Sequence, residues 1–279
     1  MNRRWKILFA NKTAMFGAGL VLFFAFVAIF ADLIATHDPR EGQPDLLAPP
    51  SAEYWLGTDE NGYDVFSRLV YGSRSSLLTA LSAVGLALLV GLPLGLLAGW
   101  RGGWLDGLIM RVVDIMLAFP AVLLAVAIAA ALGEPSLTTV VIAVAVVLVP
   151  PFIRQVRAAV LQVKSLDYVA AARALGVPPV RIVLQTVLPN CFAPILVLVT
   201  LGIGIAILDA AGLSFLGLGP PETSPEWGVM LQKALRYVQG KEQWIVLPPG
   251  LAISLTVLGF NLFGDGLRDA FDPRQSSSR

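Results

Sequence analysis

The chain has 279 residues, 56% of them hydrophobic and only 14% charged, with a mean hydropathy of +0.75. A soluble domain carries roughly 25% charged residues, so this composition excludes an ordinary water-soluble globule and points to helices in a bilayer. The formal net charge of +1 is uninformative by itself, no nucleic-acid partner is expected, and a single cysteine, Cys191, excludes an internal disulfide.

A hydrocarbon core of about 30 Å takes about 20 apolar residues per helix. Six stretches qualify: 15–33, 77–100, 115–132, 137–153, 191–208 and 244–263. The third and fourth are parted only by Gly133-Glu134-Pro135-Ser136, a turn signal, and read as a tight hairpin. The first is long and lacks a small-residue cleavage site directly after it, which argues against a cleaved signal peptide. The predicted class is all-α integral membrane with six transmembrane helices. With the N-terminus inside, the inner segments hold fourteen of the twenty basic residues, among them Arg101, Arg111, Arg154, Arg157, Lys164, Arg173, Arg181, Arg274 and Arg279. The outer segments hold Arg40, Arg68, Arg74, Lys233, Arg236 and Lys241. This bias predicts that both termini are cytoplasmic. The division is then a lead at 1–14, a first helix at 15–35 and an external loop with an interfacial helix at 36–76. A five-helix core follows at 77–264, with a cytoplasmic loop at 154–189 inside it, and a tail at 265–279.

Residues 1–12 form a basic lead that reads as a topology anchor. Residues 38–51 are rich in proline and charge and read as an extended outer connection. In 55–77, Thr58 or Asp59 is placed to cap a short helix from Glu60 to Tyr71. Its aromatics, Tyr63, Phe66 and Tyr71, suit a membrane interface. This stretch resembles a signature of the dipeptide, oligopeptide and nickel class of permeases in binding-protein-dependent ABC importers. That form is L-G-T-D-x-x-G-R-D-x-x-S-R, then G-x-R-x-S-L. The match runs through Leu56, Gly57, Thr58, Asp59, Gly62, Asp64, Ser67, Arg68, Gly72, Arg74, Ser76 and Leu77, with a departure at Tyr63, where arginine is usual.

The second span carries Gly91, Gly95 and Gly99, which share one helix face and let another backbone approach, within the subunit or across to a partner. Pro93 predicts a kink. Arg111 and Asp114 are three apart, so they share a face and are placed to pair as an interfacial ion pair; Asp106 precedes them. Residues 102–120 again resemble the same class.

Between the fourth and fifth spans lies DYVAAARALGVPPVRIVLQTVLP, 167–189. Ser165 offers an N-cap oxygen, residues 166–175 favour helix, Gly176 supplies a C′ residue, and Pro178 with Pro179 forbids continuation. From pattern alone this is either a knob that docks a partner or an ordinary cytoplasmic loop helix. The stretch is similar to the EAA loop of ABC importer permeases at Ala171, Ala172, Gly176, Leu188 and Pro189, with Ala170 in place of the usual glutamate and Thr186 in place of isoleucine. The resemblance implies an ATPase-docking coupling helix carrying Asp167, Tyr168, Ala171, Ala172, Arg173, Leu175 and Gly176.

The fifth span ends near Asp209, which suits either the translocation path or a cap or pair at the outer surface. Gly212, Gly217, Gly219, Pro220 and Pro221 break regular helix, so 210–231 reads as an outer loop. It resembles the same class in SFLGLG and PEWG-x-ML, as does GDGLRDAFDPR at 264–274. Asn261, near a span end, is a second candidate for contact with passing substrate.

No Walker A loop is present: Gly240-Lys241 is followed by Glu242 and lacks the upstream glycine. The lone histidine, His37, has no second ligand nearby for a metal, and Ser214 and Ser254 have no histidine to activate them. Catalytic and metal sites are therefore expected to be absent. The spans lack the ionisable residues a stand-alone secondary transporter normally needs for ion coupling. The resemblance implies the C-type permease of a type I ABC importer, with the MetI-like fold, in a prokaryotic inner (plasma) membrane. It implies a homologous second permease, two ATPases that bind ATP and Mg, and an extracytoplasmic solute-binding protein. The cargo it implies is di- or oligopeptides, with a nickel chelate or glutathione as alternatives.

Overall fold

The structure, a computed structural model, describes residues 3–271. Arg274, Arg279 and the last three positions of the 264–274 run lie outside the described residues. Among those described, every regular element is helical.

Helix α1 (Arg3–Ala10) is followed by α2 (Lys12–Ile29), the first span. The Asn11 side chain accepts from Thr13 N and Ala14 N, so it caps α2. A one-turn helix, α3 (Ala31–Ile34), leads into the segment at 35–64. That segment folds back on itself: Gln43 N donates to Gly62 O at 2.8 Å and Thr58 N to Ala48 O at 2.9 Å. Gly62 has φ +75°, and a Cβ there would fall 2.0 Å from Gln43 O, so only glycine fits this crossing.

The expected short helix over 60–71, capped by Thr58 or Asp59, does not form. Thr58 Oγ1 donates to Asp45 O and accepts from Ala48 N. Asp59 Oδ1 accepts from Asn61 N and Tyr63 N. Both capping oxygens are spent on the turn. Asp64 caps instead, accepting from Ser67 N at 2.9 Å, and α4 (Val65–Arg101) runs unbroken for 37 residues, about 55 Å at 1.5 Å per residue.

The third candidate span is also corrected. Residues 115–132 are not one helix. α5 (Gly103–Leu117) and α6 (Ala121–Leu132) meet at 92° across Phe119-Pro120. Pro120 has no N–H to extend α5 and sits as the N-cap of α6. At 12 residues, α6 is about 18 Å long, short of the bilayer core. The bent pair counts as one span only if taken together, giving five single spans and up to six in all.

Helix α7 (Leu137–Lys164) starts at Ser136, whose Oγ accepts from Thr139 N. It carries Pro150 and Pro151 and continues eleven residues past the expected end at 153. It lies against α4 along the glycine face: a Cβ at Gly91, Gly95 or Gly99 would come within 2.7–2.8 Å of Phe152 Cβ, Val156 Cβ or Val160 Cβ. The three glycines thus serve a contact within this subunit. After α8 (Asp167–Ala174), α9 (Pro179–Ile182) passes through a π-turn at Val183–Val187 into α10 (Leu188–Phe215). Helix α11 (Trp227–Ala234) is short, and α12 (Gln243–Phe271) is the last span.

The core joins α2, α4, α6, α7, α10, α11 and α12. Trp227 is fully buried at its centre. Its Nε1 donates to Leu69 O, and its ring fills the space over Gly72, where a Cβ would clash at 2.6 Å. Helices α4, α7, α10 and α12 bring two opposite ends of the bundle into view. One end holds 101–103, 164–182 and 271. The other holds 30–65, 133–136 and 215–242.

Candidate functional site

The first site is the turn between α7 and α10. Leu166, not Ser165, occupies the N-cap of α8, with extended dihedrals and no side-chain cap. Ser165 Oγ donates backward to Gln162 O at 2.9 Å, which removes it from capping. Asp167 in the first turn and Arg173 in the last suit the helix dipole. The C-terminus closes with Gly176 N donating to Arg173 O and Val177 N to Ala172 O, a Schellman pattern with Gly176 at φ +74°.

Val169 is the only α8 residue that is fully buried. It joins a small cluster of Val156, Val160, Val163, Ile182, Val187 and Cys191, with Ala172 partly buried beside it. Tyr168, Ala171 and Leu175 face outward, and Leu175 is 82% exposed. The helix therefore stands on α7 with an apolar rim uncovered.

Cations tie this end together. Lys164 Nζ donates to Trp100 O at 2.6 Å and Gly99 O at 3.3 Å, meeting the last carbonyls of α4. The Arg173 guanidinium lies 4.4 Å over the Trp100 ring. Arg157 of α7 grips Asp106 of α5 through two bonds of 2.5 and 2.6 Å. The expected Arg111–Asp114 pair does not form: Asp114 accepts from Arg154 at 2.7 Å. The bend after α5 lets α5 lie against α7, and that contact supplies the competing cation.

The two path candidates lie on α10 and α12. Asp209 is half-buried, and its side chain has no hydrogen bond or ion pair among the described residues. Asn261 is exposed, and a Cβ at Gly204 would come 3.1 Å from its Oδ1. Gly204 lies five residues before Asp209, about 7.5 Å of helix, so the structure sets the two on facing helices at different depths.

A polar cap covers the opposite end, and sequence reasoning assigned it no role. Glu226 is 2% exposed and caps α11, accepting from Gly228 N at 3.1 Å and Val229 N at 3.0 Å, with Ser76 Oγ donating to it at 3.3 Å. Burial pushes its carboxyl above the usual range, against the pull of the two N–H donors. Arg68 of α4 is also buried and donates to Glu222 O and Ser224 O. Tyr237 donates to Glu60, and Arg74 pairs with Asp32. The available signal was the acid placed directly before Trp227, an N-cap position.

A family model described as "Binding-protein-dependent transport system inner membrane component" matches residues 91–277. A second, "N-terminal TM domain of oligopeptide transport permease C", matches 1–50. The dipeptide transport system permease protein DppC of Alkalihalophilus pseudofirmus is 49% identical over 274 residues, 98% of this chain and 90% of the relative. DppC of Escherichia coli K12 is 48% identical, covering 97% of this chain and 92% of its own length. The glutathione transport system permease protein GsiD of an Escherichia coli strain is 42% identical over 97% of this chain and 89% of its own length. Among solved structures, a chain of the inward-facing MetNI methionine ABC transporter aligns with TM-score 0.63 and 20% identity, covering 74% of this chain and 98% of that one. That likeness establishes the fold.

Proposed function

The chain belongs to the family of binding-protein-dependent transport system inner membrane components, and from that premise we propose that it is the C-type permease of an ABC importer for dipeptides and similar short peptides. Relatives at 48–49% identity that carry dipeptides support this cargo over glutathione, whose relative stands at 42%.

The observation that carries the reading is α8. It is a short helix on the end of α7, closed by its Gly176 turn, held by one buried residue and presenting exposed Leu166, Tyr168 and Leu175 that nothing among the described residues covers. We read this rim as the seat of a partner ATPase. Two such ATPases hold the ATP and Mg. This chain has no catalytic part, and a homologous second permease forms the other half of the path. An extracytoplasmic binding protein delivers substrate at the end formed by 36–64 and 216–242. The α8 end is then cytoplasmic, in line with the basic residues there, Arg101, Lys164, Arg173, Arg181 and Arg268. Closure of the ATPases moves α8, and the Lys164 and Arg173 contacts with Trp100 carry that motion to α4 and α7. The bundle rocks between outward- and inward-open states. Asp209 and Asn261 touch substrate in passing, with selection left to the binding protein.

The test is reconstitution of the chain with the second permease, the ATPases and the binding protein. Dipeptide uptake that depends on ATP and on the binding protein is expected. Gly176→Val, which puts a β-branched residue at φ +74°, is expected to abolish uptake and weaken ATPase retention while the permease still inserts. Normal uptake and normal ATPase retention in that variant would overturn the assignment of α8.

A further inference from the structure

The break between α5 and α6 leaves backbone uncovered at a depth where lipid cannot solvate it. Helix α5 starts at the end of the bundle that holds 101–103, and α6 finishes at the end that holds 133–136, so their junction lies between the two ends. It stands one 12-residue helix away from Gly133, about 18 Å at most, inside a hydrocarbon core of about 30 Å. Every residue from 117 to 123 is exposed, with Phe119 at 57% and Leu123 at 62%, so the junction projects from the bundle as an elbow. The carbonyls of Leu117, Ala118 and Phe119 and the N–H groups of Ala121, Val122 and Leu123 have no hydrogen-bond partner among the described residues. Other prolines in the spans do no such thing: Pro93, Pro150, Pro194 and Pro248 sit inside helices that run on past them.

Hydrocarbon offers neither donor nor acceptor, so broken backbone at this depth persists only where protein buries it or water reaches it. Charges beside the elbow decide for water. Asp114, one turn before Ala118, and its partner Arg154 on α7 are 62% and 54% exposed. Arg111 on α5 is exposed and forms no ion pair or hydrogen bond among the described residues. A dry protein contact over this face would desolvate all three charges, at a cost that their one ion pair does not offset. Lipid would be worse for them. A wet face keeps the charges and the broken backbone hydrated together.

We propose that the 117–123 elbow is a wall of the water-filled translocation path, and that α5 and α6 bend to keep that stretch of the span open to water. This inference rests on the transport reading. It adds to the path an element of backbone, beyond the side chains of Asp209 and Asn261.

The test uses the assembled complex in lipid nanodiscs, open to reagent from both faces, with Cys191→Ala as background. Ala118→Cys and Ala121→Cys each add one atom at an exposed position. Leu22→Cys, at a 69% exposed site in the middle of the unbroken α2, is the lipid-facing control. A thiol must ionise to react and lipid suppresses the thiolate, so both elbow cysteines are expected to react with a charged, water-soluble maleimide at least about ten-fold faster than Leu22→Cys. The adduct on either elbow cysteine should then block dipeptide uptake in proteoliposomes. Elbow rates as slow as that of Leu22→Cys would put the elbow in lipid or in a dry contact, and a short bis-maleimide link to the second permease would identify the contact. Fast labelling that leaves uptake intact would put it on a wet surface outside the path. Each of these results overturns the proposal. The labelling rates need no cargo, so an unmodified complex that takes up no dipeptide would strike the cargo reading and leave the rates to judge whether the elbow is wet.

Discussion

Lys164, the last residue of α7, donates to the carbonyl of Trp100 across 2.6 Å and so closes the end of α4 with a cation from its parallel neighbour. Arg173 of α8 stacks on the same tryptophan. Trp100 is thus the point where α4, α7 and α8 converge. Lys164→Met keeps the aliphatic stem and removes the donor. A hydrogen bond to a charged group contributes about 1.5–3 kcal/mol, and partial exposure lowers that here. The expected outcome is a complex that assembles and hydrolyses ATP but moves several-fold less peptide per ATP. Unchanged stoichiometry of transport to hydrolysis would show that the Trp100 junction transmits nothing.

The α4–α7 seam is the stiff part of the bundle. At Gly95 an added Cβ would stand 2.7 Å from Val156 Cβ and 2.9 Å from Ile153 O, and backbone cannot yield. At Gly85 on the same helix an added Cβ meets nothing within 4 Å. Gly95→Val is expected to lower stability by at least the 1–3 kcal/mol or so of an overpacked core. Gly85→Ala is expected to be neutral, or stabilising by about 0.5–1 kcal/mol through helix propensity. Thermal unfolding of the two variants side by side checks this. Equal Tm values would show that the seam relaxes freely.

The sequence made the apolar centre of each span legible because bilayer burial demands a long unbroken apolar run. It did not show where α4 begins. Residues 65–76 include Ser67, Arg68, Arg74 and Ser76, polar enough to read as surface, yet each finds a partner in the fold: Ser67 in Asp64, Arg68 in Glu222 O, Arg74 in Asp32, Ser76 in Glu226. The α8 turn was legible because Gly176 and Pro178 act locally. Its N-cap was misplaced by one residue because Ser165 turns its hydroxyl back to Gln162. The bend at Pro120 hid within a run whose hydropathy is uniform. The burial of Arg68 left no local signal at all, since it meets Glu222 across 154 positions of sequence.

Glu226 gives the fold a pH dependence of known sign. Its carboxyl is raised above the ordinary value of 4.5 by burial, with the Gly228 and Val229 amides opposing. The folded state therefore holds the proton more tightly than the unfolded chain does. Its contribution to stability is fully present below pH 4.5 and is lost as pH rises through the folded value, then stays level. Glu226→Gln retains an accepting oxygen for the α11 cap and cannot titrate. Urea unfolding across that window should show a slope in the parent protein that is reduced in Glu226→Gln. Identical slopes would mean that Glu226 does not titrate differently on folding.

The orientation of the bundle decides which end meets ATPase and which meets binding protein, and one exposed residue at each end is enough to test it. Asn61 is exposed in the turn before α4. Its backbone N–H, not its side chain, bonds Asp59, so Asn61→Cys leaves that turn intact. Ala174 is exposed at the end of α8, with α4 and α7 each crossing between the two ends. Cys191 is fully buried, so Cys191→Ala clears the background with an apolar residue of smaller volume. In that background, Asn61→Cys should react with a membrane-impermeant maleimide in intact cells. Ala174→Cys should react only after the membrane is opened. The reverse pattern would invert the bundle, put α8 outside, and remove the basis for an ATPase contact there. The expected direction follows from charge: Lys164, Arg173 and Arg181 sit at the α8 end beside Arg101, and moving that many cations across the membrane during insertion is disfavoured.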